Sequence, residues 1–197
     1  FHNDVKGNDI VINNGNTIIS ADNNNLAIGT RTVNNANEET LLDETITLNN
    51  NSTLDIVATS NNKAQINAKI AQEQGSESTL NINKRGTIIT KTRLNKTENN
   101  TYDGTTTNTR HAVSDNETTG KVEFNNEIDV DNILIGNGVV DMNKNVKAKN
   151  FNILKGTTNL NSAADVDNLT LNNGTLNINA QASVSGDELN INNGTAN

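Results

Sequence analysis

Cysteine, proline and tryptophan are absent from the 197 residues, tyrosine occurs once and phenylalanine three times. Without cysteine there is neither a disulfide framework nor a thiolate metal site. Without proline, which cannot donate to a sheet ladder, nothing interrupts a long stack of strands. Aromatic residues at 2% and hydrophobic residues at 32% supply a bulky globular core poorly. No apolar run approaches the ~20 residues of a membrane-spanning helix. Basic charge is scarce too: a net charge of −8 and a pI near 4.7 argue against nucleic acid, which wants a basic stripe, and against simple electrostatic binding to an anionic membrane. His2 and His111 stand alone, with no third ligand at zinc spacing. A P-loop and the Gly-Gly-x-Gly-x-Asp calcium nonapeptide are both missing. No metal and no small-molecule cofactor is expected.

What the chain has in quantity is asparagine, 43 residues of it, and a repeat. Such content can mark a disordered prion-like tract, but the apolar residues here are periodic, and disordered tracts lack that order. From Gly120 onward one unit recurs. Ile133 and Ile135 are followed by Gly138 and then Val140 and Met142. Eighteen residues on come Phe151, Ile153, Gly156, Thr158 and Leu160, and eighteen further Leu169, Leu171, Gly174, Leu176 and Ile178. Twenty further are Leu189, Ile191 and Gly194. Each unit has a third apolar pair: Ile128/Val130, Val146/Ala148, Ala164/Val166 and Ala182/Val184.

Within each pair apolar and polar residues alternate, as in a half-buried strand. Each strand is too short to fold alone, but three per unit, stacked at about 4.8 Å, bury a continuous inner column. The fold expected is all-β: a right-handed three-faced parallel β-helix, a solenoid of about 18 residues per rung. A Rossmann-like fold would need helical periodicity between the strands, and none of useful length is there. The corners Gly136-Asn137-Gly138, Leu154-Lys155-Gly156, Asn172-Asn173-Gly174 and Asn192-Asn193-Gly194 carry residues that tolerate the positive φ expected of such bends. Type I′ hairpins would also use Asn-Gly, but hairpins reverse direction and these units translate.

Outside the core, Asn132, Asn150 and Asn168 precede the first strand of successive units and would form an amide ladder, with Glu188 breaking the series where two extra residues enter. The third strand carries charge in alternating layers: Asp129 and Asp131, then Lys147 and Lys149, then Asp165 and Asp167. Like charges in one row would be destabilising, so the alternation pins register more than it adds stability.

The same grammar is looser before Gly120. Ile10, Ile12, Gly15, Thr17 and Ile19 reproduce the strand–corner–strand spacing of the later units, with Leu26 and Ile28 on the third face. A second rung reads Ile46/Leu48, Leu54/Ile56 and Ile66/Ala68, extended by Ile70. Another reads Leu80/Ile82, Gly86 and Ile88. Residues 29–45 and 93–119 break the pattern and are expected as loops extruded from one β-helix spanning 1–197. The second holds Tyr102, Arg110 and His111, the candidate interaction residues, because insertions in repeat proteins often reach the working face.

The strings Lys121-Val-Glu-Phe-Asn-Asn-Glu-Ile-Asp-Val-Asp-Asn-Ile-Leu-Ile and Leu169-Thr-Leu-Asn-Asn-Gly-Thr-Leu-Asn-Ile resemble autotransporter (type V secretion) passenger domains. Their Asn-, Ile- and Thr-rich character is most similar to the rickettsial surface cell antigens, the outer-membrane protein A and B group. The resemblance implies a stalk, adhesin or antigen at the bacterial cell surface or secreted, anchored by or cleaved from an outer-membrane translocator. It implies a host-cell surface protein as receptor and contact with the membrane only through a C-terminal β-barrel that this chain lacks. Absence of cysteine fits export through a narrow pore, and a start at Phe1 is expected of a fragment excised from a longer passenger. Parallel β-helices also include polysaccharide lyases and hydrolases, whose sites cluster carboxylates with aromatics for sugar stacking. Here the acidic pairs are interleaved with lysines and aromatics are scarce, so no catalytic residue is assigned and the chain is read as a non-enzyme.

Overall fold

Short β-branched runs with period-two alternation form strands only when a neighbour completes their hydrogen bonds. The computed structural model describes residues 9–22, 24–33, 39–41, 43–96, 102–114 and 116–197. In it, outside two antiparallel hairpins, the neighbour is the next turn of the same chain. Among the described residues there is no α-helix. The chain winds through seven rungs of parallel strands on three faces, a parallel β-helix.

Face 1 is built from Ile10–Asn13, Thr45–Asn49, Lys69–Gln72, Ile128–Asp129, the first halves of Val146–Ile153 and Ala164–Leu171, and Val184–Ser185. Face 2 takes Asn16–Ala21, Thr53–Ala58, Thr79–Ile82, Asn132–Ile135, the second halves of the same two long strands, and Glu188–Ile191. Face 3 runs from Leu26–Ile28 through Lys63–Ile66, Lys121–Phe124, Val139–Met142, Thr157–Leu160 and Thr175–Ile178 to Thr195–Ala196.

Pairing register places like on like. Ile19, Ile56, Ile82, Ile135, Ile153, Leu171 and Ile191 form one column on face 2. Ile28, Ile66, Phe124, Met142, Leu160 and Ile178 form another on face 3. Of the expected core, Ile133, Ile135, Val140, Met142, Phe151, Ile153, Leu160, Leu169, Leu171 and Leu176 are buried. Ile178, Leu189 and Ile191 are 37%, 58% and 45% exposed, since they belong to the last two rungs and the seventh has a neighbour on one side only. Val122 and Phe124 resume face 3 after the long excursion and are buried with the rest.

Several assignments differ from the spacing argument. Ile10 and Ile12 sit on face 1, not under Ile133 and Ile135, and Thr17/Ile19 and Leu26/Ile28 are each displaced by one face accordingly. The cause is corner length. From face 1 to face 2 the early rungs step from Ile12 to Thr17, whereas the later ones step from Val130 to Ile133, so an early corner imitates a later face 2–face 3 corner. In the second rung Ala64/Ile66 rather than Ile66/Ala68 fill face 3, and Ile70 starts the third rung on face 1. Ile88 is not a third-face residue: it is 42% exposed and opens an antiparallel strand. In the last unit Val184 stacks on Ala164, so the two extra residues enter in the bend between Asn179 and Val184, and Asn168 and Glu188 remain paired.

Corner backbone divides the glycines into two kinds. Gly138 and Gly156 adopt φ of 81° and 80°, and Asn14, Asn50, Asn51, Asn61 and Asn83 also take positive φ. Gly174 and Gly194 do not. There the constraint is closeness, because a Cβ would stand 2.9 Å from Ile153 Cγ2 at one and 2.4 Å from Leu171 Cγ at the other.

Two excursions leave the column. Arg31–Val33 pairs antiparallel with Glu39–Leu41, and at its root the Glu44 carboxylate accepts the Thr30 backbone N–H at 2.6 Å and its hydroxyl at 3.0 Å. Ile88–Lys96 pairs antiparallel with Tyr102–Ala112, with a register shift between Leu94 and Lys96. Residues 34–38, 42, 97–101 and 115 of the two expected loops lie outside the described residues, as do 1–8. The second hairpin is anchored twice. Ile89 and Val113 pack on Val57, an outward residue of face 2 that is thereby fully buried. Buried Asn83 accepts from Ala58 N at 2.8 Å and donates to the Gly120 and Asn137 carbonyls at 3.3 and 3.2 Å, joining the points where the chain leaves and returns.

The inner column generates two predictions. Leu171→Asp buries an uncompensated charge and should cost more than ~4 kcal/mol in urea unfolding, while Thr170→Asp on the outer side stays within about 1 kcal/mol. Thr158 lies between Val140 and Leu176 with its hydroxyl buried and without a hydrogen-bond partner. Thr158→Val should therefore raise stability by about 1 kcal/mol, and a lower melting point would contradict this packing.

Candidate functional site

In a solenoid only outward side chains and excursions meet a partner, so the candidate site is assembled from those. The charged residues of face 1 stack as the repeat requires: Asp129 pairs with Lys147, and Lys147 with Asp165. The second row departs from expectation at Asp131, which is 7% exposed rather than open. It sits at the bend between faces 1 and 2, where Lys149 Nζ reaches it at 2.7 Å and Gln72 Nε2 donates to it at 2.6 Å. Its own N–H donates to Gln72 Oε1 at 2.9 Å. Asp131 raises the Lys149 amine above the usual lysine value, chiefly by their hydrogen bond. Lys147, Lys149, Asp129, Asp165 and Asp167 are exposed.

Two hollows flank the row Asp129–Lys147–Asp165. One, of about 260 Å³, is bounded by Gln72, Asp131, Lys149 and Asp167, and the other, of about 300 Å³, by Lys69, Glu127, Asn145 and Ala163. Lys69 meets Glu127 at 3.1 Å on the far rim.

Face 3 holds a second charged group that the periodicity argument passed over. Glu123 accepts from Lys63 and Lys121, each at 2.7 Å, and from Gln65 Nε2 at 3.0 Å, while Lys121 also reaches Asp141 at 2.7 Å. Burial pushes the Glu123 carboxyl up, but the hydrogen bonds from Lys121 and Lys63 together with their charges outweigh it and hold the group at about 2. The signal was available, because Glu123 and Asp141 are one repeat apart.

Amide ladders run along two of the corners and along face 3. Asn150 donates to Asn132 at 2.9 Å and Asn168 to Asn150 at 3.2 Å, the series expected from sequence. A longer one runs where face 3 turns into face 1. Asn67 donates to the Gly29 carbonyl, Asn125 to Asn67 at 2.9 Å, Asn143 to Asn125 at 2.8 Å, Asn161 to Asn143 at 2.6 Å, and Asn179 to Asn161. A third continues the Asp141 row outward on face 3 through Asn159, Asn177 and Asn197.

On the long hairpin, Tyr102 pairs with Lys96 and Arg110 with Thr90, and Arg110 and His111 are exposed. His111 Nε2 lies 2.8 Å from Glu117 Oε1, and Ser114 donates its N–H and hydroxyl to Glu117 Oε2 at 2.9 and 2.7 Å. Those Ser114 bonds, then His111, lower the Glu117 carboxyl. Imidazole and hydroxyl both end on the carboxylate instead of on each other, which is not the nucleophile–base contact of an activated serine. Among the described residues no group of three or more His, Cys, Asp and Glu could hold a metal ion.

No protein-family model, no curated protein and no solved structure matches this chain.

The face 3 network makes a prediction about pH. A carboxyl that ionises near 2 when folded, against 4.5 ordinarily, contributes stability that is fully present above about 4.5 and is lost as pH falls through about 2. Glu123→Gln should thus be less stable than the parent at pH 7, with the gap closing between pH 4.5 and 2. A gap of constant size across that range in pH-dependent urea melts would contradict the network.

Proposed function

We propose that the chain is a segment of a surface-displayed or secreted bacterial passenger, serving as a stalk that carries adhesive or antigenic features toward host cells. One observation carries this reading: a stack of seven rungs in continuous register holds two hairpins and a charged, hollowed strip out from its sides. Six steps of about 4.8 Å make a rod of about 29 Å, in which stiffness comes from repetition and the features that vary lie outside the column. The similarity of residues 121–135 and 169–178 to autotransporter passengers points the same way, toward a location outside the cell and a host surface protein as receptor. In this reading the chain is not an enzyme.

A carbohydrate-active β-helix is the second reading, favoured by the carboxylates around the face 1 hollows. Against it, Asp131 is committed to Lys149 and Gln72, and Asp165 accepts from the Ser185 hydroxyl at 3.1 Å. Beads coated with the purified chain should adhere to cultured host cells, and the same preparation should release no reducing sugar from a panel of polysaccharides. Sugar release, or adhesion no greater than that of albumin-coated beads, would overturn the proposal.

A further inference from the structure

The outward column of face 1 reads, rung by rung, Val11, Thr47, Ala71, Asp129, Lys147, Asp165 and Ser185. Its charged part differs from the neighbouring row. There Lys149 and Asp131 neutralise each other at 2.7 Å. Among the described residues, neither Asp129 nor Lys147 makes an ion pair within 4.0 Å, and Asp165 has only the Ser185 hydroxyl. An acid–base–acid row is therefore held in fixed register, exposed, between two hollows, with its charges not consumed by the protein.

Register gives this row a ruler. Adjacent rungs are about 4.8 Å apart, so the two carboxylates, two rungs apart, repeat at about 9.6 Å with a lysine midway. A partner must place cations at that interval on one side. An extended strand repeats its side every two residues, about 6.7 Å, and falls short by about 3 Å. Two turns of an α-helix, about 10.8 Å, overshoot by about 1 Å. A polyproline-II helix returns to the same side every three residues, about 9.3 Å, and meets both carboxylates with a mismatch of about 0.3 Å. Its backbone makes no internal hydrogen bonds, so its carbonyls are free to accept from an ammonium group lying between the two cations. Lys147 is that group. The hollows on either side leave room for the residues that flank the contact line.

We propose that the Asp129–Lys147–Asp165 row binds a polyproline-II segment bearing Lys or Arg at every third position. This goes beyond the stalk-and-adhesin reading and is tested without cells, so either can fail alone. The probes are two fluorescent peptides of equal length and charge: four repeats of Pro-Pro-Lys, and an isomer of four repeats of Lys-Pro followed by four prolines, in which no two lysines are three residues apart. Both adopt polyproline II, and only the first has the three-residue period. Anisotropy titrations of the intact chain at low salt should show the periodic peptide binding at least about tenfold more tightly. The double variant Asp129→Asn/Asp165→Asn should abolish that difference, and Lys147→Ala should weaken the periodic peptide alone. Asp187→Asn, an exposed acid in the seventh rung, should change neither. Circular dichroism of each variant should match the parent, because the replaced groups are exposed and the Asn side chains are isosteric. Equal affinity for both peptides would mean plain charge attraction and would overturn the proposal, as would absence of binding or an undiminished preference in the double variant.

Discussion

Everything in this molecule depends on one constraint: each rung must lie on the next in register, about 4.8 Å away, with its backbone N–H and C=O groups paired across the gap. A strand of four residues cannot satisfy itself, and in this chain it pairs with the rungs above and below. The consequence reaches the side chains. Residues at equivalent positions are forced within contact, so a column tolerates only like shapes inside. Outside it tolerates only neutral groups or charges compensated by an opposite charge above or beside them, as Lys63 over Lys121 and Glu123 over Asp141 are. Isoleucine and leucine columns meet the first condition. Asparagine meets the second with a donor and an acceptor on one amide, so a row of it is self-complementary at any length. That is the physical reason asparagine recurs at equivalent outer positions from rung to rung, as from Asn125 to Asn179 and from Asn132 to Asn168.

The same constraint decides what could be read from the sequence. Residues 128–178 were legible because the unit is eighteen residues without insertion, so inward and outward positions follow from counting. The charge alternation and the Asn132–Asn150–Asn168 ladder came from the same count. The first rung was misplaced by one face because an apolar pair and a corner look alike on every face, and only the corner length tells them apart. In rungs one to three that length varies. Leu80 and Ile82, by contrast, stack on Ile133 and Ile135 as their spacing implied. Asn125, Asn143, Asn161 and Asn179, and likewise Glu123 and Asp141, lie one repeat apart in the sequence and were open to the same counting. Asn67, Lys63 and Gln65 join them across the long excursion and were not. Burial of Asp131 was not legible, since it results from Gln72, fifty-nine residues earlier, entering through pairing in a rung whose corner is irregular. Nor was the packing of Val57 against Ile89 and Val113, which reverses the side of a strand that alternation would leave open.

The excursions show how a solenoid adds a feature without losing register. The hairpin Ile88–Lys96/Tyr102–Ala112 supplies its own hydrogen bonds, so its twenty or so residues ask nothing of the column except two junctions. A two-stranded ribbon is marginal alone, and its root is fastened accordingly, by a small apolar cluster outside face 2 and by one buried asparagine. Asn83 stands where three segments meet, at residues 58, 120 and 137, and an amide is the side chain that can accept from one and donate to two. Glu44 does comparable work at the root of Arg31–Val33/Glu39–Leu41.

Charge then sorts the outer surface into what the frame uses and what it leaves over. On face 3 a carboxylate is enclosed by two lysines, and its depressed pKa is the measure of how completely it is engaged; such a group belongs to the stack. On face 1, one row closes on itself through Lys149 and Asp131, while the next keeps Asp129 and Lys147 apart at the same rung spacing. The difference is local geometry at the bend: Asp131 is drawn in toward Gln72 and brings Lys149 with it, whereas Asp129, two residues earlier in the strand, has Ala71 above it and no such anchor. Alternation alone would have satisfied both rows equally. A repeat therefore does not make its outer positions equivalent, and the unequal ones are where a partner can find charge that folding has not already consumed.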